Sequence, residues 1–126
     1  MKLTSINSEN APPPEGNYDN ALLAEGVRDF LFISGQVPVS LDGTPTDFAG
    51  QAAQVWRNID AQLEAAGMTK DNLVKATMFL ADRSYALENR EVRTAYLGDK
   101  RIALTVVVCE IFDDGWLIEV EAIAAR

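Results

Sequence analysis

Leu117-Ile118-Glu119-Val120-Glu121-Ala122-Ile123-Ala124 is the stretch on which the fold turns. Successive side chains on a strand point to opposite faces. Ile118, Val120, Ala122 and Ala124 therefore share one face, and Leu117, Glu119, Glu121 and Ile123 the other. The first face is wholly apolar, and the second mixes carboxylates with Leu and Ile.

Just upstream, Phe112-Asp113-Asp114-Gly115 reads as a hairpin loop. Ile102–Cys109, rich in β-branched residues, reads as the strand that pairs across it. Asn72–Leu80 is a further strand. Between these strands, Asp82 and Ser84 are cap candidates for a helix with Tyr85, Asn89, Val92 and Tyr96 facing inward, ended by Gly98. A buried amide such as Asn89 must find partners in the backbone or in a ligand.

The other helix starts at the cap Asp47 and places Phe48, Ala52, Val55, Trp56, Ile59, Leu63 and Ala66 on one stripe, with Gly67 as its stop. Trp56 reads as core; Gln51, Gln54, Arg57, Asn58, Gln62 and Glu64 fall on the other faces. Lys2–Ile6 reads as a short edge strand, and the Pro-rich stretch Asn10–Asn17 as an ordered loop. Ala21–Glu25 and Asp29–Ser34 read as strands, with hairpin signals at Gly26 and Arg28-Asp29. Ser34-Gly35-Gln36 leaves a buried strand, where a glycine lets a ligand or backbone approach closely.

The order is ββ(β)-α-β-α-ββ in a single domain, residues 1–126. Two helices cover only one face of such a sheet, so the fold class is α+β, a two-layer domain with a mixed sheet. The uncovered face requires association with further copies.

The chain has 126 residues and a net charge of −8, with 11 basic residues among 19 acidic ones. Nucleic-acid binding needs clustered Lys and Arg, so it is not expected. With no histidine and one cysteine, Cys109, the chain lacks Ser-His and Cys-His nucleophiles, disulfides and the common zinc sites. Acid–base work falls to Asp, Glu, Lys, Tyr or water. No segment has the roughly 18 apolar residues of a membrane span, and the first residues lack a signal-peptide core. The expected compartment is the cytoplasm.

Several segments in order resemble the RidA/YjgF family, also described as the endoribonuclease L-PSP or translation-inhibitor family. They are Gly16-Asn17-Tyr18, Ile33-Ser34-Gly35-Gln36-Val37-Pro38, Gln54 through Gly67, Val74–Asp82, Asn89 and Ile118–Ala124. The resemblance implies a chorismate-mutase-like homotrimer with small-molecule clefts between subunits. It also implies hydrolysis of enamines or imines, such as 2-aminoacrylate, to a 2-oxo acid and ammonia, with no metal or cofactor. Carried onto this sequence, Tyr18, Ser34, Gly35 and Asn89 bind the substrate. Glu119 is catalytic, positioning or deprotonating the attacking water.

One segment departs from the pattern. Where the family has Pro-Ala-Arg-Ser/Thr, the chain reads Ile102-Ala103-Leu104-Thr105, and Val106 stands where some members carry cysteine. The resemblance therefore does not extend to the arginine that grips a substrate carboxylate in two parallel bonds. Leu104 and Val106 make an apolar wall instead, and the nearest cations in sequence are Lys100 and Arg101. Three readings stay open: a C=N hydrolase, a non-catalytic binder of a small apolar or uncharged metabolite, and an endoribonuclease. The last is opposed by the acidic charge.

Overall fold

The computed structural model describes all residues, Met1–Arg126. Six strands and two helices occur in the expected order: β1 (Lys2–Ile6), β2 (Ala21–Glu25), β3 (Phe30–Gln36), α1 (Phe48–Ala65), β4 (Leu73–Leu80), α2 (Ala86–Leu97), β5 (Ala103–Val108) and β6 (Ile118–Ala125). The main sheet has the order β3-β6-β4-β5, and β1 and β2 form a separate two-stranded antiparallel ribbon.

Two pairings differ from the sequence reading. β5 and β6 are not a hairpin, because β4 lies between them, parallel to β5 and antiparallel to β6. The Asp113 turn is present, with the Gly115 N–H donating to Asp113 Oδ1 at 2.8 Å, yet the chain passes over β4 before it re-enters the sheet. β4, α2 and β5 form a crossover unit, which sends β5 to the sheet edge. β6 is buried on one side and half-covered on the other, and it takes the slot between β3 and β4. β2 and β3 are not a hairpin either. After Gly26 (φ 67°) the chain leaves β2, and the Arg28 and Asp29 N–H groups donate to Arg126 O instead.

α1 begins at Asp47, whose carboxylate accepts from the Gly50 N–H at 3.2 Å, and ends before Gly67 at φ 69°. Its stripe Val55, Trp56, Ile59 and Leu63 packs on Ala76, Met78, Val120 and Ala122 from the sheet. Each buried Val, Ile, Leu or Met of this set contributes about 1.5–3 kcal/mol by leaving water. Gln51 departs from the expected outer face. It is buried, its amide donates to Pro45 O and Gly115 O at 2.9 Å, and its oxygen accepts from the Leu117 N–H at 2.7 Å. A polar residue on the stripe thus clamps the turn that feeds β6.

The other face of the main sheet has no layer over it within the chain. Phe30 and Phe32 stand 58% and 74% exposed there, their rings 6.1 Å apart. On the same face Phe79 pairs with Glu119, and Val107 pairs with Phe79 from the far side.

Asp19 ties the first segment to the main sheet. Its carboxylate accepts from Ser5 Oγ at 2.5 Å, Asn7 Nδ2 at 3.3 Å and Arg101 Nε at 3.2 Å. Burial alone would raise its pKa; the bonds from Ser5, Asn7 and Arg101 outweigh burial and hold it below the ordinary value. Arg101 is 42% exposed, so solvent screens the charge pair and the neutral donors carry much of the effect. A depressed folded pKa contributes stability above the unfolded value, near 3.9, and that stability is lost as pH falls through the folded pKa. Asp19→Asn should lower the melting temperature at pH 7 by roughly 3–8 °C. The gap to the native chain should narrow in melts at pH 3; a gap independent of pH would assign the loss to shape alone.

Candidate functional site

Between Ile33, paired with Ala122, and Gln36, paired with Val120, the β3–β6 ladder is irregular. Two residues, Ser34 and Gly35, face one, Glu121, which is the arrangement of a β-bulge. The bulge brings the Gly35 backbone against Glu119: a Cβ on Gly35 would stand 2.3 Å from Glu119 Oε1. Only glycine leaves room for that carboxylate in its present position. Glu119 is half-buried and takes part in no ion pair or hydrogen bond within the chain, so both oxygens are free acceptors. Ser34 beside it is exposed, and its backbone oxygen accepts from Gln36 Nε2 at 3.0 Å. A shallow groove of about 420 Å³ lies between Phe32, Ser34 and Gln36 of β3 and Gln62 and Ala65 of α1. Glu119 does not line it.

Tyr18, Asn89, Leu104 and Val106 gather on the other side of the sheet. The Asp19 N–H donates to Ile102 O at 3.0 Å, Asp19 bridges to Ala103, and Arg101 donates to Tyr18 O at 2.6 Å. These contacts pin Tyr18 to the edge where β5 begins. Asn89, 1% exposed on α2, lies with Nδ2 3.6 Å from Met78 Sδ. Met78 pairs with Val106 and Ala76 with Leu104, so both β5 residues are on the helix side of the edge strand. Leu104 packs against the core, and Val106 is 40% exposed.

The predicted residues thus form two groups on opposite faces of one sheet, and a single chain does not bring them together. Lys100 and Arg101 do not fill the place opposite Leu104. Lys100 Nζ donates to Asp71 O at 2.7 Å, and Arg101 is held by Asp19 and the Tyr18 carbonyl. Cys109 lies just past β5, half-buried, its N–H bonded to Leu80 O at 3.0 Å. No group of three carboxylate or thiol side chains converges to make a metal cage.

Arg93 was not foreseen. It is 4% exposed, one turn after Asn89 on the same inward stripe. Its spacing of four from Asn89 was the available signal, hidden by the rule that arginines face water.

Residues 8–126 match the family described as Endoribonuclease L-PSP. A RutC family protein of Pyrococcus horikoshii is 38% identical over 124 residues, which is 96% of each chain. The crystal structure of the YjgF gene product from E. coli is 31% identical, covers 98% of both chains and superposes with a TM-score of 0.73. The chain belongs to the RidA/YjgF family. A Rid-family protein from Yersinia pestis, YyfB, superposes at TM-score 0.85 with 23% identity and supports the fold alone. In this RidA/YjgF member no helix is long and apolar enough to cross a membrane.

Proposed function

We propose that three copies of this chain assemble through the open face of the main sheet and hydrolyse a small enamine or imine in the clefts between them. What supports the assembly is the pair of stacked, exposed phenylalanines together with the split of the candidate residues. Glu119, Ser34 and Gly35 from one copy need the Tyr18–Asn89 side of another to make a complete site. The observation that carries the chemistry is the Glu119 carboxylate, free of partners and held against a glycine bulge. It holds a water against the C=N carbon and takes its proton as the C–O bond forms. The same carboxyl then gives that proton to the nitrogen, which leaves a carbinolamine. The carboxylate next takes the hydroxyl proton and passes it to the nitrogen as the C–N bond breaks, so the amine or ammonia departs and the carbonyl product forms. No step needs a metal.

Leu104 and Val106, apolar on the cleft side of β5, favour as a second reading a binder without turnover. RNA cleavage has the least support, since a chain of net charge −8 offers no basic groove. Imines generated by an amino-acid oxidase should be consumed faster with the protein than by spontaneous hydrolysis, measured as 2-oxo-acid formation and unchanged by EDTA. No acceleration across acidic, neutral and basic imines would leave only the binder.

A further inference from the structure

Arg93 is the one buried charged side chain that the fold leaves without a counter-charge. Its Nε is buried with no hydrogen-bond partner, and it takes part in none of the four ion pairs. Burial and the nearby Arg90 both disfavour its charge, and only the Tyr18 phenol offsets them. An arginine nevertheless stays protonated in proteins, so the cation is present and uncompensated. One turn earlier, Asn89 Oδ1 is a buried acceptor with no donor. Residues four apart on a helix lie side by side, about 5–6 Å between Cβ atoms. The pair therefore offers one strong cationic fork and, beside it, one orphaned carbonyl oxygen.

The position in the fold is equally specific. Lys70, just before β4, donates to Tyr96 O near the end of α2, so α2 runs antiparallel to β4. Asn89 sits at Met78, in the row of Val106. Moving four residues along α2 advances about 6 Å. Moving two residues back along β4 advances about 6.6 Å and reaches Ala76, in the row of Leu104. Arg93 thus stands level with Leu104, across from the β5 edge and beside the Tyr18 loop.

We infer that Arg93 and Asn89 anchor a small carboxylate that carries an adjacent N–H or O–H, held between α2, Tyr18 and the Leu104 edge of β5. The guanidinium grips the carboxylate, and the Asn89 oxygen accepts the neighbouring donor. The inference deepens the proposed function: it rests on that reading only in placing the cleft on this side of β5, and it narrows the substrate to an anionic one.

Glycolate is a suitable probe, since it has a carboxylate beside an O–H. Acetate lacks the donor and glycolamide lacks the charge. In NMR titrations of the native, full-length assembly, glycolate should bind at least tenfold more tightly than glycolamide and severalfold more tightly than acetate. Arg93→Met should weaken glycolate at least tenfold and leave glycolamide unchanged. Asn89→Leu should erase the preference for glycolate over acetate. Glycolate should raise the melting temperature of the native chain but not of Arg93→Met. Should Arg93→Met fail to fold, Arg93→Lys keeps the charge without the fork and should weaken glycolate severalfold. Native-like glycolate binding in either variant overturns the inference. So does a fall in assembled mass on Arg93→Met, which would make a carboxylate of another copy the counter-charge. Binding is read without turnover, so a protein that binds glycolate through Arg93 yet hydrolyses no imine refutes the proposed reaction and leaves this anchor standing.

Discussion

Glu119→Gln should lower imine hydrolysis by about two to four orders of magnitude with the fold unchanged. The substitution keeps shape and one acceptor oxygen but removes the basic oxygen that takes the proton from water. Because Glu119 makes no hydrogen bond or ion pair within its own chain, no structural contact is lost. The melting temperature should therefore stay close to native, and a rate within threefold of native would end the role assigned to this carboxylate. Gly35→Ala separates the presence of the carboxylate from its position. The new Cβ would fall 2.3 Å from Oε1, so the carboxylate must move while its chemistry is retained. Gly35 has no positive φ, so alanine is compatible with the backbone there. A fall in kcat smaller than that of Glu119→Gln, with a native melting curve, is the expected result.

Phe32→Glu should take the assembly apart. Phe32 is 74% exposed on the uncovered sheet face, and burying such a ring against another copy is worth about 1.5–3 kcal/mol at each interface. A carboxylate in its place would have to lose its water without a partner, which costs more than the ring contributed. It would also add to the self-repulsion of a chain already at −8. Light scattering should fall from about three times 13.8 kDa to 13.8 kDa. Far-UV circular dichroism should persist, because Phe32 lies outside the core cluster. Hydrolysis should vanish with the assembly if, as proposed, two copies complete each cleft. A variant that retains the assembled mass would remove this face from the interface.

Much of this arrangement was legible in the residues. The alternation along β6 put Ile118, Val120, Ala122 and Ala124 together on one face, and all four are buried. The Phe48–Leu63 stripe and its Asp47 and Gly67 boundaries read off directly, because periodicity and capping are local. Strand partners were not legible. The Asp113 turn looks the same whether the chain doubles back beside β5 or steps over β4, and only long-range packing decides. Gln51 and Arg93 escaped for a related reason: polarity on a helix reads as exposure until the surrounding elements are assembled. Among the candidate residues, Asn89, Glu119 and the Ser34-Gly35 exit stood out in the sequence, but their division between two faces depends on strand register.

The irregular step in β3 has a consequence for how this surface diverges. Before it, Leu31 and Ile33 face the core side while Phe30 and Phe32 face outward; after it, Gln36 rejoins the ladder opposite Val120. The extra residue works as a phase shifter, so odd-numbered positions face the core side before the step and even-numbered positions after it. Mutations on the two stretches can accumulate separately, since neither dictates the alternation of the other. Deleting one residue of the step would couple them, forcing a single frame on both and leaving Glu119 without the recess it occupies.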